Sequence, residues 1–242
     1  MNAIVNFVTT IPIANIHPFE DNPYKVQDNE EMQFLCESIR ENGVLSPLLV
    51  RKIGAAEEYE VISGHRRLYA AYKLGLTELP TVTTDLNRNA AAIALVDSNL
   101  HREHILPSEK AFAYKLKMEA LSHQGAACGQ ASHKSRDAVS DTDSGRQVQR
   151  YIRLTCLIPE WLNKLDIGEM ALSIGAELSY LDEQRQRDVL EQCEINACTL
   201  SYLQAVLPQG LNAAETEDYV IKACEHYRKF QRRREQERRG AA

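Results

Sequence analysis

The sequence predicts an α+β protein, in which a small α/β domain precedes an all-helical domain and a basic C-terminal helix. Three observations support this class. Short strand-like runs alternate with helical stretches over the first hundred residues, whereas the chain after Asn87 has helical periodicity almost throughout. The end of the chain is rich in arginine. We therefore expect domains over residues 1–105, 106–208 and 209–242.

The elements of the first domain follow one another at short intervals. Strands are predicted at 11–16, 48–51, 59–62 and 79–84, and helices at 29–42 and 65–74. The first helix carries Met32, Leu35 and Ile39 on one face, and Gly43 stands where helices commonly end. Gly43 also opens the turn Gly43-Val44-Leu45-Ser46-Pro47, whose glycine and proline suit a backbone that faces a ligand.

The later elements are helices. One begins near Pro107 and buries Ala111, Tyr114, Met118 and Leu121, and residues 123–135 form a polar linker. Further helices are predicted at 146–155, 160–165, 183–194, 199–206 and from about residue 214.

Composition limits the class of protein. The chain has 242 residues, of which 44% are hydrophobic and 26% charged, values ordinary for a globular protein. No apolar run reaches the roughly 20 residues of a membrane span, so we expect a cytoplasmic protein with no membrane partner. The six cysteines lack a C-x-x-C pair, which favours reduced thiols over disulfides or a zinc module.

The segment Ser63-Gly64-His65-Arg66-Arg67-Leu68 places two arginines at the start of an amphipathic helix. A helix N-terminus is already electropositive, so adjacent guanidinium groups are unfavourable there unless an anion lies nearby. A phosphate group bound there would offset the positive charge of both arginines. The simpler alternative is that both side chains extend into water.

A second polar group, Ser98-Asn99-Leu100-His101-Arg102-Glu103, lies at a helix-to-helix junction. The Asn99 amide and the Glu103 carboxylate supply the oxygen ligands that Mg²⁺ prefers beside phosphates, and Arg102 suits a phosphate directly. Taken alone, the hexapeptide is more typical of an ordinary polar helix end.

Residues 136–154 have the pattern of a helix, a turn and a second helix. A short first helix would end near Asp141 and Ser144 would cap the second, burying Val148, Ile152 and Thr155. The outer face would then carry Arg146, Gln147, Gln149 and Arg150. Arginine and glutamine pair with guanine and adenine edges in the major groove. An ordinary amphipathic surface helix is the alternative, and Arg153 is expected to contact DNA phosphate.

In this order the three motifs resemble the ParB family (ParB/Noc type) of chromosome and plasmid partition proteins, most closely the shorter members carried by mobile elements of Gram-positive bacteria. The resemblance spans residues 11 to about 208 and includes Asn22-Pro23-Tyr24 and Leu157-Ile158-Pro159. It implies a homodimer that binds CTP and Mg²⁺ and recognises a palindromic centromere-like site on double-stranded DNA. It also implies closure by CTP into a sliding clamp, a nucleoid-associated location and a ParA-type ATPase as partner.

By residue, the resemblance assigns the nucleotide contacts to Gly43, Ser46, Gly64, His65, Arg66, Arg67, Asn99, Arg102 and Glu103, with Asn99 and Glu103 toward Mg²⁺. It assigns the DNA contacts to Ser144, Arg146, Gln147, Gln149, Arg150 and Arg153. Ser98 replaces the first glutamate of the family motif Glu-Asn-x-x-Arg-Glu, which helps to hold the metal and promote hydrolysis. Weak CTP hydrolysis and loss of turnover therefore both stay open, and His65 replaces another usual glutamate.

Two alternatives remain at this stage. The chain could be a plain helix-turn-helix regulator of transcription or replication whose first domain no longer uses nucleotide, which Ser98 favours and the retained Arg66, Arg67 and Asn99 oppose. Alternatively, the first domain could act on ATP, as phosphotransferases and sulfiredoxins of similar fold do. The attached DNA-reading helices, and the lack of a cysteine beside Gly64, make that enzyme the weaker alternative.

Overall fold

The structure, a computed structural model, describes residues 7–102, 104–127, 139–140 and 142–195, with the backbone alone at 124–127, and eight helical positions between 215 and 233. The chain divides into two compact units. The first comprises residues 1–105 and 113–139, and the second comprises 106–112 and 140–242. The three sequence-based domains, with boundaries after 105 and 208, stay a prediction.

The first unit is built on a mixed five-stranded sheet of order β1-β5-β3-β4-β2. Its strands are β1 (Val8–Pro12), β2 (Ile16–His17), β3 (Leu48–Ile53), β4 (Glu58–Ser63) and β5 (Glu78–Thr84). Strand β3 pairs antiparallel with β4 and parallel with β5. The predicted continuous strand at 11–16 is wrong, because a 3-10 turn at Ile13–Asn15 separates β1 from β2. Pro12 has no N–H to continue the ladder, and the Ile13 N–H instead donates to the Thr77 carbonyl at 2.9 Å.

Three helices of this unit begin and end where capping residues place them. They are α1 (Glu30–Asn42), α2 (His65–Leu74) and α3 (Arg88–Leu100). The side chain of Asn29 accepts from the Met32 N–H, and that of Asn87 accepts from the Ala90 N–H at 2.9 Å. Helix α2 occupies the predicted range 65–74 and is flanked by Gly64 and Gly75, both in the left-handed region.

The sheet is buried on both faces. Leu48, Val50, Val61 and Leu68 form a core between the sheet and α2. A second core covers the other face of the sheet. There Ile62 of β4 packs with buried alanines and a leucine of α3, and with Phe19 and Tyr24 of the segment after β2. The positions of α2 and α3 are therefore fixed by β4, whose end they both approach.

The second unit contains only helices among its described residues. Helix α4 (Pro107–Ala127) contributes its first turns here, followed by α5 (Gly145–Leu154), α6 (Pro159–Asp166), α7 (Leu172–Leu178) and α8 (Glu183–Ile195). Helix α7 was not predicted, because it is short and contains Gly175 at its centre. The linker predicted at 123–135 is wrong for 123–127, which continue α4, since alanine and glutamine there are good helix formers.

Two other expectations fall largely outside the described residues. Of the first helix expected before Asp141, only Val139 and Ser140 are described after residue 135, and neither is helical. The helix expected at 199–206 and residues 128–135 of the linker lie outside the described residues. The described positions between 215 and 233 are helical, in agreement with the expected terminal helix.

A buried glutamine organises the core of the second unit. Gln186 is 1% exposed, and its Oε1 accepts from the Ile158 N–H at 2.9 Å. Its Nε2 donates to the carbonyls of Cys156 at 2.9 Å and Leu181 at 3.0 Å. The indole N–H of the fully buried Trp161 donates to the Gln186 carbonyl. One side chain thus connects α8 to the segments before α6 and after α7.

The described part of the chain has no helix with the length and apolar character that crossing a membrane requires.

Candidate functional site

The junction between β4 and α2 requires glycine at residue 64. Gly64 has φ 112°, a conformation that side chains disfavour. A Cβ atom there would lie 3.0 Å from Leu48 Cγ and 3.1 Å from an Arg67 nitrogen. The first turn of α2 therefore begins close against β3, with no side chain capping its backbone N–H groups.

Arg67 points from α2 toward the turn that begins at Gly43. Its Nη1 donates to the carbonyls of Pro47, at 2.8 Å, and Ser46. Burial lowers the pKa of Arg67 from its usual value. In this arrangement the Arg67 guanidinium holds the backbone of the turn, so the Gly43–Pro47 segment and the start of α2 are joined by one charged group.

Beside α2 lies a small open recess, which we call the α2–α3 recess. It brings together side chains that are far apart in sequence. The residues that line it are Asn22, Tyr24, Lys25, Val26, His65, Arg66, Asn99 and Arg102. Four of these, His65, Arg66, Asn99 and Arg102, were predicted as nucleotide contacts.

His65 enters the recess as a neutral ring. Burial, with a smaller contribution from the charge of Arg102, lowers the pKa of His65 from 6.5 to about 4. The Phe19 backbone N–H donates to His65 Nε2 at 3.3 Å. Because Nε2 is an acceptor, the ring proton lies on Nδ1, and the imidazole fastens the segment after β2 to the start of α2.

The charged lining of the recess is cationic. Arg66 Nη1 lies 3.1 Å from the Glu31 carboxylate, but both side chains are well exposed, so this pair is weakly held. The Arg102 guanidinium lies 5.8 Å from the centre of the Tyr24 ring, a cation–π distance. Together with Lys25, these cations adjoin the electropositive end of α2, and the recess therefore suits an anion.

Asn99 supplies the recess with an amide. It is 6% exposed, and its Nδ2 donates to the Leu95 carbonyl at 2.7 Å and to Ser98 Oγ at 3.2 Å. Both hydrogen bonds that this side chain makes to described residues use the nitrogen, which leaves Oδ1 to meet a cation or a nucleotide group.

The side chains of Ser98 and Asp97, next to Asn99 in the chain, bind to other protein groups. The Ser98 hydroxyl donates to the Leu95 carbonyl at 2.9 Å. Asp97, the residue before Ser98 and a carboxylate near the missing glutamate, forms a 2.6 Å ion pair with Lys117 of α4. Among the described residues, no group of three or more His, Cys, Asp or Glu side chains could hold a metal ion. Of the two predicted Mg²⁺ ligands, Asn99 offers the amide oxygen Oδ1, a kind of atom that Mg²⁺ binds, and Glu103 lies outside the described residues.

Among the described residues, the other predicted nucleotide contacts, Gly43, Ser46, Gly64 and Arg67, do not line the recess. The Ser46 carbonyl accepts from Arg67, Gly64 precedes the first turn of α2, and Gly43 ends α1 with φ 71°. Sequence reasoning missed four lining residues, Asn22, Tyr24, Lys25 and Val26, as site residues. Their signal was the Asn-Pro-Tyr turn itself, since Asn22 Oδ1 accepts from the Tyr24 N–H at 3.2 Å.

In the second unit, α5 has a buried and an exposed side, but of the residues predicted to face inward only Val148 is buried, and Ile152 and Thr155 are partly exposed. Val148 and Leu154 are buried, whereas Arg146 and Arg150 are exposed and Gln147 and Gln149 are partly exposed. Ser144 caps the helix, because its Oγ accepts from the Gln147 N–H at 3.3 Å. The exposed side of the N-terminal half therefore presents arginine and glutamine, side chains that can pair with guanine and adenine edges.

The turn before α5 and the end of α5 are anchored within the second unit. Asp143 accepts from Lys110 at 2.6 Å, and Lys110 lies 4.8 Å from the centre of the Tyr151 ring. Arg153 donates to Ser179 Oγ and to the Ser179 carbonyl, and its contact with DNA phosphate stays a prediction.

Comparison with known proteins identifies the relatives of this chain. A model of the ParB N-terminal domain matches residues 2–100. A chromosome-partitioning protein Spo0J of Thermus thermophilus is 35% identical over 211 residues, which are 87% of this chain and 69% of that protein. A nucleoid occlusion protein of Geobacillus thermodenitrificans is 31% identical over 219 residues, 90% of this chain and 70% of that protein. A solved structure of C-terminally truncated ParB from Caulobacter crescentus, complexed with CTP-gamma-S, is 27% identical with a TM-score of 0.37 and covers 72% of this chain and 93% of that one.

Proposed function

This chain belongs to the ParB family of partition proteins, and we propose on that basis that it binds CTP in the α2–α3 recess and a specific DNA site through α5. CTP binding converts the DNA-bound homodimer into a clamp. The protein then serves in the segregation of a chromosome, plasmid or mobile element.

The observation that carries the nucleotide part is the charge around the start of α2. Arg66, Arg102 and Lys25 line one recess at a helix N-terminus, where His65 adds no charge because its pKa is about 4. Mutual repulsion among these groups is relieved by a polyphosphate, which takes hydrogen bonds from guanidinium groups and from the free N–H groups of the helix. The choice of CTP over other nucleotides comes from the family resemblance alone.

Equilibrium binding of labelled CTP, ATP, GTP and UTP tests this assignment. We expect selective CTP binding that weakens at least tenfold in Arg66→Ala and Asn99→Ala. Glu31→Gln is the matched control, because it removes the ion-pair partner of Arg66 and leaves the arginine in place. This variant should bind CTP as well as the parent protein or better. Equal loss in Glu31→Gln and Arg66→Ala would contradict a direct phosphate contact by Arg66.

We propose that Mg²⁺ enters with the nucleotide, held mainly by phosphate oxygens and by Asn99 Oδ1. When bound, the ion neutralises phosphate charge. The missing glutamate at position 98, and the ion pair that holds Asp97 on Lys117, favour slow or absent CTP hydrolysis. Ser98→Glu should raise the release of phosphate from CTP over that of the parent protein. A parent protein that already hydrolyses as fast as this variant would contradict the role given to position 98.

The DNA part depends on the exposed side of α5. Arg150→Ala and Gln147→Ala should each reduce the preference for a site selected from random duplexes by about tenfold, because a base contact contributes about 1–3 kcal/mol of discrimination. Arg232→Ala in the basic C-terminal stretch should instead weaken binding to all DNA and lower its dependence on salt. Unchanged preference in both α5 variants would show that another element reads the site.

The alternative is a plain helix-turn-helix regulator that binds no nucleotide. The hydrogen bond from the Ser98 hydroxyl to the Leu95 carbonyl of the same helix favours this alternative. The nucleotide assay separates the two, since a regulator binds its site and no CTP. Dimerisation is expected to match the two halves of a palindromic site. The ParA-type partner, the mobile-element origin and the nucleoid-associated cytoplasmic location remain predictions from the resemblance.

A further inference from the structure

The guanidinium of Arg153, near the end of α5, is bound on several sides within the second unit. Its Nε donates to Ser179 Oγ at 3.2 Å and its Nη2 donates to the Ser179 carbonyl at 2.6 Å. Its central carbon lies 4.1 Å from the centre of the Tyr180 ring. Two hydrogen bonds and a stacked ring fix the direction of a side chain that was expected to reach toward DNA phosphate.

The partner of Arg153 is itself firmly held. Ser179, the residue that ends α7, is 3% exposed, and its Oγ donates to the Ala176 carbonyl at 2.6 Å. The last carbonyls of a helix have no partners within the helix and carry partial negative charge. A guanidinium is favourable at that position, and Arg153 therefore ties α5 to the end of α7.

The next residue makes the adjoining apolar contact. Leu154 is fully buried, and a Cβ added to Gly175 of α7 would lie 2.9 Å from its Cδ2. The glycine thus lets α7 approach the end of α5 closely. Leu154 and Arg153 together hold α5 by its C-terminal end, while the exposed Arg146 lies in the first turn at the other end.

A small change at the anchored end is enlarged at the reading end. Arg146 and Arg153 are seven positions apart, which at 1.5 Å per residue is about 10 Å along the axis. A tilt of about 10° at Arg153 would move the backbone at Arg146 by roughly 2 Å. A bidentate contact with a base edge does not survive a displacement of that size.

We propose that Arg153 is a positioning residue for DNA recognition: through Ser179 and Tyr180 it sets the direction of α5, and it does not contact phosphate. This inference rests on the proposed site-specific binding by α5. It assigns Tyr180, 57% exposed and outside the helix that reads DNA, a part in site preference.

The two roles of Arg153 predict different salt dependence. A phosphate contact contributes about 0.9 to the slope of log K against log salt concentration, for any duplex. A positioning residue leaves that slope, and the affinity for random DNA, unchanged. We therefore expect Arg153→Ala to lower the preference for the selected site over a random duplex of equal length about tenfold, with an unaltered slope.

Two variants that keep the charge complete the test. Arg153→Lys loses the paired hydrogen bonds and Tyr180→Leu loses the ring, and each should lower site preference by several fold. The double variant should lose little more than Arg153→Lys alone, because both changes break one contact. If Arg153→Ala does not fold, as judged by thermal unfolding, these two variants give the answer.

The outcomes are distinct. Full site preference in Arg153→Lys and Tyr180→Leu, or a slope lowered by about one in Arg153→Ala with equal weakening on both duplexes, overturns the positioning role. Arg150→Ala, on the exposed face, serves as the control that must lose preference. A parent protein that selects no site from random duplexes would overturn the proposed DNA function, and the positioning role with it.

Discussion

The neutral state of His65 predicts a specific loss of stability in acid. Burial, and to a lesser extent the charge of Arg102, lowers the pKa of His65 from 6.5 in the unfolded chain to about 4 in the folded protein. Between these values the unfolded chain binds the proton and the folded protein does not. The stability is therefore complete above pH 6.5 and falls as the pH decreases toward 4.

The size of this effect follows from the two pKa values. The gap between 6.5 and about 4 corresponds to about 3 kcal/mol when fully developed. At pH 4.5 most of it, about 2 kcal/mol, should already be lost relative to pH 7. Carboxylates also titrate in this range, so the contribution of His65 has to be measured as a difference between variants.

Equilibrium urea unfolding without nucleotide, at pH 7.0 and 4.5, measures that difference. His65→Gln retains an acceptor for the Phe19 N–H and does not titrate. The parent protein should lose about 2 kcal/mol more than this variant between the two pH values. His123→Gln, at an exposed position of α4, is the matched control and should behave as the parent protein does.

An NMR titration of the His65 ring gives the decisive reading. A pKa near 6.5, together with equal acid sensitivity in the parent protein and His65→Gln, would refute the claim that the ring is buried and neutral.

The remaining predictions concern packing. Gly64→Ala should destabilise the protein by about 1–3 kcal/mol in thermal unfolding, and more than Gly54→Ala, because both glycines have positive φ but only Gly64 has close neighbours; equal losses would contradict the contact with Leu48. Gln186→Leu should cost about 2–4 kcal/mol by leaving three backbone groups without partners, and a loss below about 0.5 kcal/mol would mean that these groups find other partners. Gly175→Ala should cost about 1–3 kcal/mol from the clash with Leu154, and urea unfolding that matches the parent protein would show that the two helices separate freely.

Local signals were sufficient to predict much of the first unit. Helix α2 begins after Gly64 and ends before Gly75, and α3 begins after Asn87, because capping and left-handed glycine act over a few residues. The same kind of signal, a proline without an N–H at position 12, accounts for the break in the predicted strand at 11–16.

Long-range contacts could not be predicted from the sequence. Nothing local shows that Arg67 turns to the carbonyl of Pro47, or that Arg153 turns to Ser179. Such contacts depend on which helix ends meet in space, and an arginine satisfies its donors equally well with phosphate, carbonyl or water. Tyr24 was missed as a lining residue of the α2–α3 recess for the same reason, since only the fold brings its ring close to Arg102.

The most direct test of a CTP-gated DNA clamp is retention of the protein on DNA that carries its selected site. The DNA is a duplex with both ends blocked, washed in high salt after incubation with CTP and Mg²⁺, with ATP or with no nucleotide. We expect retention only with CTP, release when one end is cut, and no retention for Arg66→Ala. Retention that is equal with and without CTP, or insensitive to cutting of the end, would contradict the clamp.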